Sequence, residues 1–311
     1  MQQTLTSESN TRNFRLGLFF AVAGTALFSL KSILIKLAFQ EGVDATTFLA
    51  LRMLIAFPFY LLILMYAIKT RPEKAQLFSK KDAVLILGLG FLGYYLASYL
   101  DFKGLMHISA QLERLTLFTY PIMVALLSWL FFKQKITLNV FISLLVSYVG
   151  VSFLFFNEKP AQSMVDGQVF TGTLLVACAA LSFALYVIFS KAFISRLGSL
   201  IFTSVAMSSS LVFILIHFFI THNLSDLNVS PRLWFLASLL AIFSTLIPSF
   251  FTSEAIHRIG ATRTSIMGTL GPVVTIILAV NLLGEKFGLP QVIGLILVLF
   301  GVSLLRAKKD H

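Results

Sequence analysis

The 311-residue chain is 58% hydrophobic and 12% charged, with a formal net charge of +11 and a mean hydropathy of +0.91. A soluble domain holds about twice that charged fraction, so there is too little polar surface to enclose so much apolar material in water. The basic residues gather at the ends of apolar runs and not along one helical face, which excludes a nucleic-acid-binding protein and leaves a polytopic membrane protein.

In chain order the apolar runs cover 16–39, 45–67, 83–104, 108–132, 137–156, 169–191, 199–221, 233–256, 261–283 and 289–305. A helix rising 1.5 Å per residue needs about 20 residues to cross a bilayer. The runs are twice the length of barrel strands and do not alternate in and out. They predict an all-α polytopic fold of ten transmembrane helices, joined mostly as antiparallel hairpins. Arg12 and Arg15 precede the first run, but it stays apolar from Leu16 to Phe39 without a small-residue cleavage site, so it reads as a span and not a signal peptide. With a cytoplasmic N-terminus, the inner flanks hold Arg12 and Arg15, the Lys69–Lys81 group, Lys133 and Lys135, Lys191 and Arg196, Arg258 and Arg263, and Arg306, Lys308 and Lys309. The outer connections keep Lys159, Arg232 and Lys286, with Lys103 and Arg114 near a fourth. That asymmetry predicts a multi-pass protein of the cytoplasmic (inner) membrane with both termini inside.

The chain also repeats itself. An offset of 151 places Ile108, Ala110, Pro121, Lys135, Ile142 and Gly150-Val151-Ser152 on Ile259, Ala261, Pro272, Lys286, Ile293 and Gly301-Val302-Ser303. An offset of 155 places Gly17, Phe28, Leu30, Ile33 and Lys36 on Gly172, Phe183, Leu185, Ile188 and Lys191. The predicted organisation is a tail at 1–15, a five-helix repeat at 16–156, an outer linker at 157–168, a second repeat at 169–305 and a tail at 306–311. Five is odd, so the second copy enters the membrane the other way round. Inverted repeats imply alternating access about a central site.

A charge in mid-membrane costs roughly 2.5–3.5 kcal/mol on insertion scales and needs a partner or a cavity. Glu113 and Arg114 are adjacent in the fourth span and point about 100° apart, so their partners must come from other helices. Asp101 and Lys103 end the third span, and Lys31 and Lys36 lie in the outer half of the first. These six predict a cross-helix network. Two readings stay open: an interhelical clamp with Lys36 and Lys103 snorkelling, or a site. In the latter, Glu113 or Asp101 exchanges a proton and Lys31 or Arg114 faces an anionic substrate group. Lys31 pairs with Tyr186 under the 155 offset, which suggests matched linings of one central site. Tyr94, Tyr95, Tyr99 and Tyr120 are further candidates to line a pocket or an interfacial belt. Arg52 reads as a clamp, Glu254 and Arg263 as interfacial anchors or an inner gate, and His217 as interfacial.

Pro121 and Pro272 are expected to kink equivalent spans in mid-helix and so to border a cavity or act as hinges. Gly88, Gly90 and Gly93 spell GxGxxG without the strand or acid of a dinucleotide site, and predict close helix packing. Cys178 is the single cysteine and is expected to be a small buried hydrophobe. No metalloprotease, nucleophile-elbow, P-loop or paired-cysteine motif is present, so no enzyme activity, metal or cofactor is predicted. A lipid-modifying membrane enzyme would need clustered acids, and here they are scattered; a non-transporting scaffold or receptor would not need the inverted repeat.

The stretches "GTALFSLKSILIKLAF", "FLALRMLIAFPFY", "ISAQLERLTLFTYPIMVALLSWLFFKQKI" and "GATRTSIMGTLGPVVTIILAVNLLGEKFGLPQVIGLILVLFGVSLL" resemble the drug/metabolite transporter superfamily, and within it the EamA-domain branch. The family's Gly-Glu-basic turn stands as Gly284, Glu285 and Lys286, whereas the first half departs from it with Lys133, Gln134 and Lys135. The resemblance implies a secondary carrier whose central cavity is built mainly from helices one, three, four, six, eight and nine. Its expected partners are a small-molecule substrate, the lipid bilayer and protons, with the chain as monomer or homodimer. It implies amino acids, other metabolites or drugs as cargo, often moved outward. Uptake or facilitated exchange is the alternative.

Overall fold

The computed structural model describes residues 2–133, 138–157, 166–268 and 270–304. Gln134, Lys135, most of the predicted linker with Lys159, and the C-terminal tail lie outside the described residues; the side chains of Pro121 and Arg263 do too. The described residues are helical and hold no strand. In order, they form α1 (Gln2–Gln40), α2 (Ala45–Thr70), α3 (Pro72–Ala75), α4 (Lys80–Gly90), a π-helical segment (Phe91–Leu96), α5 (Ala97–Leu105), α6 (Ala110–Leu117) and α7 (Tyr120–Phe132). Then come α8 (Leu138–Asn157), α9 (Asp166–Leu197), α10 (Ser199–Thr221), a 3-10 turn (Leu224–Leu227) and α11 (Pro231–Ala241). A second π segment (Ile242–Leu246), α12 (Ile247–Gly268), α13 (Leu270–Leu283) and α14 (Leu289–Leu304) complete the chain.

Seven helical stretches among the described residues are long and apolar enough to cross a membrane, and three shorter apolar helices, Leu145–Asn157, Leu270–Leu283 and Leu289–Gly301, fall on the remaining apolar runs. Their outward faces carry large hydrophobics such as Leu62, Val84, Phe156 and Ile220, which suits acyl chains and not water. The chain is a multi-pass membrane protein. Cys178 is exposed on such a face, which corrects the expectation that it is buried: lipid receives a small apolar side chain as readily as a core does.

The departures from α geometry recur at the sequence offset of 151. Both π segments obey it. At Pro121 the helix breaks: a proline ring collides with the carbonyl four residues earlier, and α6 ends at Leu117, four before Pro121. Pro121 therefore stands in the first turn of a new helix, α7, where its missing N–H breaks no bond. The mid-helix kink expected at Pro121 is a helix boundary instead, whereas the residue joining α12 to α13 ahead of Pro272 lies outside the described residues. Lys133 and Gly284 close their helices with φ of 53° and 67° at the same offset.

The eighth and ninth apolar runs do not part at 257–260 as expected, because α12 continues to Gly268. Gly260 alone is too weak a breaker, at about 1 kcal/mol, and no proline stands there. Gly90 and Gly93 do permit close packing: an added Cβ would meet the Ala206 carbonyl oxygen at 2.4 Å and the Tyr186 ring at 2.4 Å. Gly88 faces open space and plays no such part.

One rim of the bundle gathers the turns after α1, α5, α10 and α13. There Arg232 pairs with Glu41 at 2.9 Å, His222 with Asp44 at 3.3 Å, and Glu285 accepts from the Ala110 amide at 2.7 Å. At the opposite rim Arg196 pairs with Asp82, which also closes the capping box of α4 with Ser79.

Candidate functional site: a buried charge cluster

The α6 helix is only eight residues long, and its first turn delivers Glu113 and then Arg114 into the bundle. Its three free amides are all capped. Leu112 N–H donates to Ser109 Oγ at 3.1 Å, and the Ala110 and Gln111 amides donate to the two Glu285 oxygens at 2.7 and 3.3 Å. The family turn seen in the sequence thus fixes, across the chain, the helix that carries the charges.

Opposite α6, α1 offers Phe28, Ser29, Lys31 and Ser32 within just over one turn. Lys31 Nζ stands 2.5 Å from Asp101 Oδ2, and the Ser32 hydroxyl donates to Glu113 Oε2 at 2.6 Å. Glu113 is 0% exposed, Asp101 1%, Arg114 6% and Lys31 7%. Asp101 Oδ1 and Glu113 Oε1 have no donor, yet the two carboxyl groups lie within hydrogen-bonding reach of each other. Lys31 also lies 5.7 Å from the Phe28 ring and 5.9 Å from that of Phe102.

Arg114 is held loosely. Its guanidinium sits 5.0 Å over Phe28, its Nη2 reaches Ser29 Oγ only at 3.5 Å, and its Nε has no partner. The Ser29 hydroxyl hydrogen is shared between the carbonyls of Thr25 at 2.8 Å and Gly271 at 3.1 Å. A Cβ at Gly271 would stand 2.8 Å from Arg114 Nη2, so this glycine at the start of α13 makes room for the guanidinium. Arg52 flanks the cluster from α2. It lies 5.1 Å over Phe102, donates to Ser98 Oγ at 3.2 Å and leaves its Nε unpaired.

The structure therefore brings together Lys31, Asp101, Glu113 and Arg114, four of the residues singled out in the sequence. The others form two separate groups. Tyr95 hydrogen-bonds His217 Nδ1 at 2.9 Å and stacks on Tyr99, whose ring lies 4.6 Å from the His217 ring. Lys103 covers Tyr99 at 5.9 Å, and with Lys36 it acts on His107. Tyr186 stands in the second group. Its hydroxyl bonds Tyr94 at 2.9 Å and its ring stacks on Phe202, because Gly93 admits the ring between α9 and the first π segment. The π segment explains the split: its extra residue turns Tyr94 toward α9 and Tyr95 toward α10, and Ser182 Oγ satisfies the Leu92 carbonyl at 2.7 Å.

Sequence reasoning passed over Ser32, Phe28, Ser29 and Gly271. Their signal is helical spacing around Lys31 and a glycine beside Pro272, which becomes legible only once the helix contacts are known. Glu254 forms a local pair with Arg258 at 2.7 Å, an anchor within one helix. Among the described residues no group of three metal-ligating side chains occurs.

Residues 15–156 and 170–307 each match the EamA-like transporter family. The chain belongs to that family. It is 29% identical over 310 residues to the uncharacterized transporter YcbK of Bacillus subtilis, covering 97% of this chain and 96% of that one. It is also 27% identical over 233 residues to the uncharacterized transporter YyaM of the same organism, 74% of each chain, and 28% identical over 231 residues to the uncharacterized transporter sll1319 of Synechocystis, 72% of this chain and 66% of that one. A crystal structure aligns over 95% of this chain and 99% of its own with a TM-score of 0.66 at 14% identity, a likeness of fold. This EamA-like chain is thus built of two tandem family units. The charge cluster uses α1, α5 and α6 of the first, while Gly271 and Thr275 of the second close on Ser29, the latter at 3.3 Å to its carbonyl oxygen.

Proposed function

We propose that this protein is a secondary active transporter that exports a small metabolite across the cytoplasmic membrane by alternating access, coupled to protons through the Asp101–Glu113 pair. The ten apolar helices cross the bilayer as two inverted five-helix units with both termini cytoplasmic. The shared offset of the π segments and left-handed helix ends supports equivalent units, and the lysine and arginine distribution supports the orientation.

The observation that carries the reading is the state of the two carboxyl groups. A clamp meant only to fix register would leave its charges fully paired. Here one buried oxygen of each acid has no donor, while Lys31 and Ser32 hold the remaining oxygens. One proton between Asp101 and Glu113 satisfies both, and its release leaves two like charges in a site of low dielectric. Occupancy of that proton changes the local charge by one unit, which is the lever a coupled carrier needs.

The test uses proteoliposomes loaded with a cell metabolite extract and an imposed pH gradient, with release read by mass spectrometry. Wild type is expected to release one compound class in a gradient-dependent way. Glu113→Gln is expected to remove the gradient dependence and Lys31→Ala to abolish flux, with both variants still folded in the membrane. Flux and pH dependence equal to wild type in both variants would reduce the cluster to a clamp.

A further inference from the structure

The cluster does not balance its charge. Lys31, Arg52 and Arg114 are buried with only two buried acids, Asp101 and Glu113, among them. Of the three cations only Lys31 has a direct ion pair among the described residues. Asp101 and Glu113 act on Arg114 from a distance, and Asp101 on Arg52, without meeting either guanidinium in an ion pair. A buried guanidinium normally has its flat edge met by acceptors, because leaving it unpaired in a dry site costs several kcal/mol. Arg52 at least donates to Ser98 at 3.2 Å. Among the described residues the Arg114 side chain makes one hydrogen bond, at 3.5 Å, to a hydroxyl already turned toward two carbonyls.

The position of Arg114 adds a second argument. It stands where α6 and α1 of the first unit meet α13 of the second, on the seam that alternation would open and close. Phe28 lies beneath the guanidinium and is 38% exposed, although Lys31 and Arg114 on either side of it are nearly buried. Ser29, Phe28 and Gly271 thus leave Arg114 free of carboxylates and give it a small residue on its open side.

We infer that the transported compound carries an oxyanion, a carboxylate or a phosphate, that docks on Arg114 at the α1–α6–α13 seam. This rests on the carrier reading and adds the charge class of its cargo. An anion there meets the free Nε edge of the guanidinium in two parallel hydrogen bonds and cancels the excess positive charge. It also joins the two units through one ligand, because the same guanidinium touches Gly271 of the second. A lipid headgroup is the less suitable source of such an anion, since Arg114 is enclosed by three helices and does not face acyl chains.

The experiment follows thermal unfolding of the purified, detergent-solubilised protein at constant ionic strength. Four probe mixtures are used: small carboxylates, phosphate monoesters, the amides of the same carboxylates, and primary amines. One of the two anionic mixtures is expected to raise the melting temperature saturably, and which one does so tells carboxylate from phosphate; the amides and amines leave it unchanged. Arg114→Lys keeps the charge and the fold but loses the fork, and Gly271→Ala keeps every charge but displaces the guanidinium; each is expected to raise the half-saturating concentration about tenfold. Stabilisation by amides or amines alone, no shift with either anionic mixture, or unchanged half-saturation in both variants overturns the inference. The carrier reading fails separately: flux of a cation with an intact pH response would sink only the anion site, and anion binding without any flux would sink only the carrier.

Discussion

Glu285 offers the sharpest test of how the family turn serves the cluster. Its two oxygens take the Ala110 and Gln111 amides at 2.7 and 3.3 Å, at the positive end of the α6 dipole. A hydrogen bond to a charged group contributes about 1.5–3 kcal/mol, and the longer bond stands at the weak end of that range. Glu285→Ala should therefore cost about 3–4.5 kcal/mol, since two amides lose their acceptor at a buried helix start. Glu285→Gln keeps one acceptor and loses the charge, and should cost about 1–2 kcal/mol. Ser109 caps a different amide, that of Leu112, so Ser109→Ala should cost about 1 kcal/mol and leave the Glu285 effect standing. The assay is equilibrium unfolding in mixed micelles, with transport measured on the folded fraction. Because α6 carries Glu113 and Arg114, Glu285→Ala should also reduce flux per folded molecule. A destabilisation below about 0.5 kcal/mol with normal flux would refute the claim that this cap positions the site.

Other outcomes follow from the geometry. Gly90→Ala should destabilise by roughly 3 kcal/mol or more, since its Cβ would meet Ser209 Oγ at 2.0 Å and the Ala206 carbonyl at 2.4 Å; Gly88→Ala, facing open space, should be neutral or slightly stabilising in the same unfolding assay. Lys133→Gly should stabilise by about 0.5–1 kcal/mol, because a φ of 53° strains a residue with a Cβ. Asp44 titrates below its ordinary range: burial opposes ionisation, but hydrogen bonds from Thr47 and Thr46 and the nearby His222 outweigh it. A lowered carboxyl pKa means that its stabilisation is present above the unfolded value, about 3.9, and is lost as pH falls through the folded one. Between pH 5 and pH 2 the wild type should lose more stability than Asp44→Asn, which keeps the helix cap; parallel curves would contradict this.

The helices were legible because hydrophobic length is the strongest signal a membrane chain carries, and α10 was bounded to the residue at 199–221. The charge cluster was legible for the same reason: Lys31, Asp101, Glu113 and Arg114 each stand out against apolar neighbours, and so few charges in lipid must find one another. Their pairing was not legible. Whether Glu113 meets Lys31 or Ser32 depends on helix rotation, which adjacent residues do not record. Sequence equivalence between repeats likewise does not say which neighbour the Tyr186 ring meets, because Gly93 decides that locally. Pro121 marks a helix boundary and not the expected kink; a proline in the sequence marks a break without showing whether the helix bends or restarts. The continuity of α12 past Gly260 rests on contacts with α1, where Gly17 lies against Ile259 and Arg258, and no local residue type announces it.

The most direct measurement compares intracellular and extracellular metabolites in cells lacking the protein, cells overproducing it, and cells overproducing Glu113→Gln at equal membrane level. The account predicts that overproduction moves one compound class outward, that deletion retains it, and that Glu113→Gln behaves like the deletion. Identical metabolite profiles in all three, or full export by Glu113→Gln, would contradict it.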